Sequence, residues 1–206
     1  LTILVSTVFF VFEIANTSSA SSISSGSYTP EEKIQDKTAP SIPSRSVYHI
    51  KANYNGKDLL QSKMQLSYVN KTKDTMNELY FHLYPNMFNN RSSVPFFNQD
   101  FVRAFPRGFS QGKIKIHSIT QDGKNLSWEM IEDNQMLKLS LEQPVKPGGF
   151  SDIHSEFELI IPNANFRFGY QNFGNGKITT SLANWYPILG VYENGRWVMD
   201  KHAALG

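Results

Sequence analysis

From residue 47 onward, apolar and polar positions alternate in short runs broken by turn residues. This is the period of a strand with one face buried and one wet. In residues 59–69, Leu60, Ser62, Met64, Leu66 and Tyr68 fall on one face and Gln61, Lys63, Gln65 and Ser67 on the other. In 153–161, Ile153, Ser155, Phe157, Leu159 and Ile161 share a face. Further strands are predicted at 47–54, at 78–84 ending on Pro85, at 113–119, at 126–130, and at 136–141 closed by Pro144 and Pro147-Gly148-Gly149. Asn55-Gly56 predicts a hairpin between 47–54 and 59–69, and Asp122-Gly123 one between 113–119 and 126–130, because these residue types tolerate positive φ. No window sustains an i, i+3, i+4, i+7 apolar stripe, so helix is confined to single turns near 86–90 and 100–105. The pattern predicts an all-β fold, either an antiparallel β-sandwich or a saddle-shaped open sheet, rather than βαβ units.

The first 46 residues read differently. Residues 1–12 are almost wholly apolar, and a Ser/Thr-rich run containing Ser18-Ser19-Ala20 comes next. That order is expected of a secretory h-region and its cleavage zone, although a basic leader is missing and position 1 is Leu. A membrane span needs about 20 apolar residues, so anchoring is the second expectation and a buried strand the third. The division expected is a signal peptide or truncated membrane anchor at 1–26, a linker at 27–46 with Pro30, Pro40 and Pro43, and a β domain at 47–206. Such a chain is exported, extracellular or at the cell surface, and meets a membrane only through an uncleaved anchor.

With 206 residues, 40% of them apolar and 13% aromatic, the chain can bury one substantial core. Twenty basic side chains against eighteen acidic ones leave +2 with no cluster, which gives no footprint for nucleic acid. The absence of cysteine excludes disulfides, a thiolate zinc site, a cysteine nucleophile and a lipidated cysteine. None of the five histidines forms HExxH or another i, i+4 pair. His49, His82, His117 and His154 are expected to be ordinary strand residues, and Glu156 and Glu158 an ordinary solvated strand face. No nucleophile elbow, P-loop or dinucleotide fingerprint occurs. No catalytic, cofactor-binding or metal-binding residue is therefore assigned. The aromatic stretches 96–109 and 166–173 suit core or interdomain packing, or a carbohydrate-stacking surface.

Three segments in order carry a resemblance: Asn77-Glu78-Leu79-Tyr80-Phe81-His82-Leu83-Tyr84-Pro85-Asn86, then Phe166-Arg167-Phe168-Gly169-Tyr170, then Asn184-Trp185-Tyr186-Pro187-Ile188-Leu189 with Trp197 and Asp200 behind it. With Asp122-Gly123-Lys124 and the Pro144 to Gly148 turn between them, residues 48–206 resemble the N-terminal domain of bacterial membrane-alanyl-aminopeptidase-like (gluzincin) zinc metallopeptidases. The resemblance implies a β domain preceding a thermolysin-like catalytic domain that carries HExxH, a distant Glu ligand and a Gly-Ala-Met-Glu-Asn-type substrate strand. None of these occurs here, so zinc and peptide hydrolysis are implied for the parent enzyme and not for this chain. The catalytic domain is the implied partner, and peptide the implied substrate. The family's amine-holding Gln or Glu falls on Lys177-Ile178-Thr179-Thr180-Ser181, which has neither. Asn184, Trp185 and Tyr186 are the implied cleft-facing residues, with an apolar docking patch expected across 166–189. The alternative is a free-standing secreted module that binds glycan or protein.

Overall fold

A computed structural model describes residues 44–200. The expected leader at 1–26, nearly all of the expected linker and His202 lie outside the described residues. In chain order the strands are β1 (Val47–Tyr54), β2 (Leu59–Val69), β3 (Met76–His82), β4 (Lys113–Gln121), β5 (Lys124–Asn125), β6 (Trp128–Ile131) and β7 (Met136–Val145). They continue as β8 (Phe150–Ile160), β9 (Phe168–Asn172), β10 (Ile178–Leu182), β11 (Ile188–Leu189), β12 (Tyr192–Glu193) and β13 (Arg196–Trp197). Among the described residues helix is limited to a 3-10 turn, Tyr84–Phe88, and to α1, Asn98–Ala104. The fold is all-β and antiparallel.

Two sheets form the body, in the orders β1-β2-β8-β4-β5 and β11-β3-β7-β6. Their apolar faces meet: Met64, Ile116, Ile119 and Ile153 of the first approach Phe81, Leu137 and Leu139 of the second around one small internal space. The predicted inward faces of β2 and β8 are buried, Ser62 and Ser155 included. Burying such apolar side chains contributes roughly 1.5–3 kcal/mol each relative to exposure, which makes strict alternation in a sequence worth reading. The outward faces are wet, and Lys63 bridges Glu156 at 2.7 Å across β2 and β8.

The turns refine the expected hairpins. Asp122 and Gly123 both take positive φ, 50° and 80°, as predicted, but the second arm is only Lys124–Asn125. Leu126 is buried and its N–H bonds the Ile119 carbonyl, so the chain leaves the first sheet there and enters the second as β6. The strand expected at 126–130 is present as β6 from Trp128, but it belongs to the second sheet, and residues 126–127 form the corner between sheets. At the first hairpin only Gly56 takes positive φ. Asn55 instead uses its side chain, whose Oδ1 accepts the N–H groups of Lys57, Asp58 and Leu59 at 2.9, 3.0 and 3.1 Å. β7 runs past the expected stop at Leu141 and through Pro144, because its pairing with β3 is interrupted between Ser140 and Val145 and needs no donor there.

Candidate functional site

The three segments that carry the resemblance converge on β3. β11 pairs with the end of β3, Ile188 opposite His82 and Leu189 opposite Phe81. Trp197 lies 5.6 Å from Tyr80, ring to ring. Just past β3, Phe88 packs against Phe166 at 6.1 Å and Phe168 at 5.7 Å. Asn86 staples this corner: its Nδ2 donates to the Asn134 carbonyl at 2.6 Å and its Oδ1 accepts the Ile114 N–H at 3.0 Å.

β3 alternates as its sequence predicts, Leu79 and Phe81 inward and Glu78, Tyr80 and His82 outward. Lys138 of β7 joins Glu78 at 3.0 Å and Glu129 of β6 at 3.3 Å, a charge ladder over three strands. Its bonds to Glu78 and then Glu129 hold the Lys138 ammonium above its ordinary pKa. Burial, and then its bond to Glu78, raise the Tyr80 hydroxyl. His82 stacks nearly parallel on Tyr84, 5.2 Å between centroids. Burial depresses its pKa, and the charge of Asp200 opposes that shift.

The implied cleft residues are brought together but play different local parts. Trp185 and Tyr186 are 5% and 8% exposed. Trp185 packs on Phe157 at 6.2 Å, and Tyr186 edges onto Tyr48 at 5.3 Å. Asn184 is exposed and holds a left-handed backbone, φ 51°, which Asn tolerates better than most residues. Much of the apolar surface expected across 166–189 is turned inward: Phe168, Tyr170, Trp185 and Tyr186 sit in the core, with Phe88, Phe157 and Tyr48 among the rings packed on them, while Phe166, Ile178, Leu182, Ile188 and Leu189 are half-buried. Most of the aromatic stretch is likewise spent inside, Phe96 meeting Phe166 at 4.7 Å and Phe105 at 6.3 Å. Phe97 and Phe173 are the exposed exceptions, at 61% and 65%.

Zinc, implied for the parent family, finds no fit among the described residues. No three His, Asp or Glu side chains among them converge as ligands. His117 lies 3.4 Å from Glu158 and near Glu156, whose carboxylate is bridged by Lys63, and His82 is stacked on Tyr84.

Beside β3 lies a groove of roughly 870 Å³, walled by Glu78 and Tyr80 on one side and by β12, β13 and Asp200 on the other. Its far wall depends on a hairpin signal absent from the sequence-based strand assignment: Asn194-Gly195, both at positive φ, joins β12 to β13. Tyr192 fixes that wall by donating its hydroxyl to Asp74 Oδ2 at 2.9 Å.

No protein-family model matches the chain, and no curated protein sequence matches it. Among solved structures it is similar to an M1 zinc metallopeptidase from Deinococcus radiodurans bound to a Tyr-Ser-Ala substrate, with 13% identity, TM-score 0.41, 70% of this chain and 28% of that one covered. Another structure of an M1 zinc metallopeptidase from Deinococcus radiodurans gives 13%, TM-score 0.38, and coverage of 62% and 23%. A two-domain M1 zinc metallopeptidase bound to L-tryptophan gives 11%, TM-score 0.35, and coverage of 57% and 20%. The chain thus spans 20% to 28% of the length of these enzymes. Matches this partial leave function to be argued from the residues.

Proposed function

We propose that the chain is the non-catalytic N-terminal β domain of an aminopeptidase-like zinc metallopeptidase, exported, and flanking the peptide cleft of a thermolysin-like catalytic domain. The observation that supports this is convergence. The segments 77–86, 166–170 and 184–197 lie far apart in sequence yet meet at one end of β3 through pairing, Phe88 and Trp197. Segments that form one packed unit are what a shared domain requires, whereas unrelated chance matches would scatter. Zinc and peptide hydrolysis then belong to the catalytic domain, and Asn184 at the exposed tip of the third segment is the residue nearest to hand for a neighbouring domain. The glycan-binding alternative draws no support from the aromatic stretches, whose rings are mostly consumed by the core.

The test pairs two measurements. Calorimetric titration of the purified chain with zinc is expected to give no stoichiometric binding, and the chain alone no hydrolysis of aminoacyl nitroanilides. Fused to the polypeptide encoded downstream in its own reading frame, it is expected to hydrolyse them in a zinc-dependent way. Stoichiometric zinc binding or hydrolysis by the chain alone overturns the proposal, as does an inactive, zinc-free fusion.

A further inference from the structure

The edge of β3 is only half covered. The Leu83 N–H bonds the Gln135 carbonyl toward β7, and the Gly190 N–H bonds the Tyr80 carbonyl on the opposite edge. Since backbone groups alternate between edges, odd residues of β3 serve β7 and even residues face the other way. β11 reaches only Phe81 and His82, and Gly190 adds its one bond to Tyr80. Beyond it the chain peels away into the β12–β13 hairpin, which pairs with itself. Among the described residues, no backbone bond from residues 191–200 returns to β3. The N–H and C=O of Glu78 therefore point into the groove beside β3. An open strand edge accepts an extended chain as an added strand, with backbone bonds giving affinity and neighbouring side chains selecting sequence.

The groove also dictates what that sequence should carry. Its lining holds three carboxylates, Glu78, Glu193 and Asp200, against one guanidinium, Arg196; Lys138 already bridges Glu78, so the free acidic excess rests on Glu193 and Asp200. Tyr80, Trp197 and Tyr192 form a continuous aromatic wall, with centroids 5.6 and 5.2 Å apart. Ring faces within about 6 Å attract a Lys or Arg head group, and carboxylates at the rim add to the attraction. A volume of roughly 870 Å³ lies within the range of ligand-binding clefts and leaves room for a few extended residues.

We propose that the groove along the open edge of β3 binds an extended cationic peptide, which pairs with Glu78 as an added strand and lays a Lys or Arg side chain against the Tyr80–Trp197–Tyr192 wall. The proposal does not depend on an attached peptidase. The probe is acetyl-Thr-Val-Arg-Val-Thr-amide, added to the 15N-labelled 206-residue chain. Amide shifts are expected at Glu78, Tyr80 and residues 192–200, with affinity falling as salt is raised. Replacing the peptide's Arg by norleucine is expected to weaken binding about tenfold, equivalent to roughly 1.4 kcal/mol. N-methylation at alternate residues, which removes donors from one edge, is expected to abolish it. Glu78→Gln is expected to weaken binding while leaving the remaining spectrum in place. Binding of the N-methylated peptide as tightly as the parent overturns the proposal, as do shifts confined to another surface or no binding at all. Binding only by a chain cut after Asp200 overturns it too, since residues 201–206, with Lys201 and His202, would then be the occupant.

Discussion

At the scale of single residues, polar and small side chains inside the motifs act as fasteners. Asn86 belongs to the first motif and is 5% exposed, with both ends of its amide engaged. Asn86→Ala strands the Ile114 N–H and the Asn134 carbonyl and is expected to cost about 2–3 kcal/mol, read as a lower urea midpoint at unchanged slope. Asn86→Asp keeps an acceptor for Ile114 but loses the donor, so it should also destabilise. Gly169 of the second motif serves a different need. Its φ is unremarkable, but an added Cβ would overlap the Ala164 carbonyl. Gly169→Ala is therefore expected to destabilise by about 1–3 kcal/mol through overpacking. Gly123→Ala, in open space at φ 80°, costs only its left-handed backbone, about 1 kcal/mol. Thermal unfolding of the two variants side by side checks that order.

At the scale of elements, the strands with one wet face were legible in the chain and the sheet-changing corner was not. β2 and β8 alternate because one face of each meets the core and the other meets water, so burial writes itself into the sequence. Asp122-Gly123 likewise announces its turn. The path of the chain after that turn is decided by tertiary packing: Leu126 is buried between the sheets, and no local signal separates a continuing strand from a corner. The groove was hidden for a related reason, since strand pairing, not composition, decides which edge stays open. Gln121 is the least legible feature of all. It is 2% exposed on β4 and stands in for a strand where β7 bulges away from β3. Its Oε1 accepts the Gln143 N–H at 3.0 Å and its Nε2 donates to the Gln143 carbonyl at 2.9 Å. A further bond reaches Ser151 Oγ at 2.9 Å. Gln121→Leu removes both bonds to the exposed Gln143 backbone, which water can replace, and the buried bond to Ser151 Oγ, and is expected to cost about 1–2 kcal/mol. Hydrogen exchange should show the loss concentrated at residues 140–145.

At the scale of the whole molecule, the two sheets are tied at both margins, by Gln121 to Gln143 on one side and by Tyr48 to Leu189 on the other. The Tyr48 hydroxyl on β1 accepts the Leu189 N–H of β11 at 2.9 Å, with its ring against Tyr186. Burial outweighs that bond and drives the Tyr48 hydroxyl far above its ordinary value, while burial pushes Tyr68 up to about 12. A raised tyrosine pKa means that the fold holds the neutral form more strongly than the unfolded chain does. Its stabilising contribution is thus complete below about pH 10, where the unfolded tyrosine titrates, and is lost as pH rises through the folded value. The opposite limb belongs to His82, whose depressed pKa makes its contribution complete above about pH 6.5 and lost on acidification. His82→Gln should flatten the fall in stability on acidification below about pH 6.5. On the alkaline side the molecule is expected to unfold cooperatively rather than release tyrosine protons from an intact fold, because ionising Tyr48 places a charge between the sheets. Absorbance at the phenolate band and circular dichroism should then move together above about pH 10 for these groups. Tyr48→Phe separates the two roles of the hydroxyl: stability at neutral pH falls by about 1–3 kcal/mol as the Leu189 N–H loses its acceptor, while the alkaline limb becomes shallower. A variant as alkali-sensitive as the parent would show that the clasp at Tyr48 does not govern the alkaline transition.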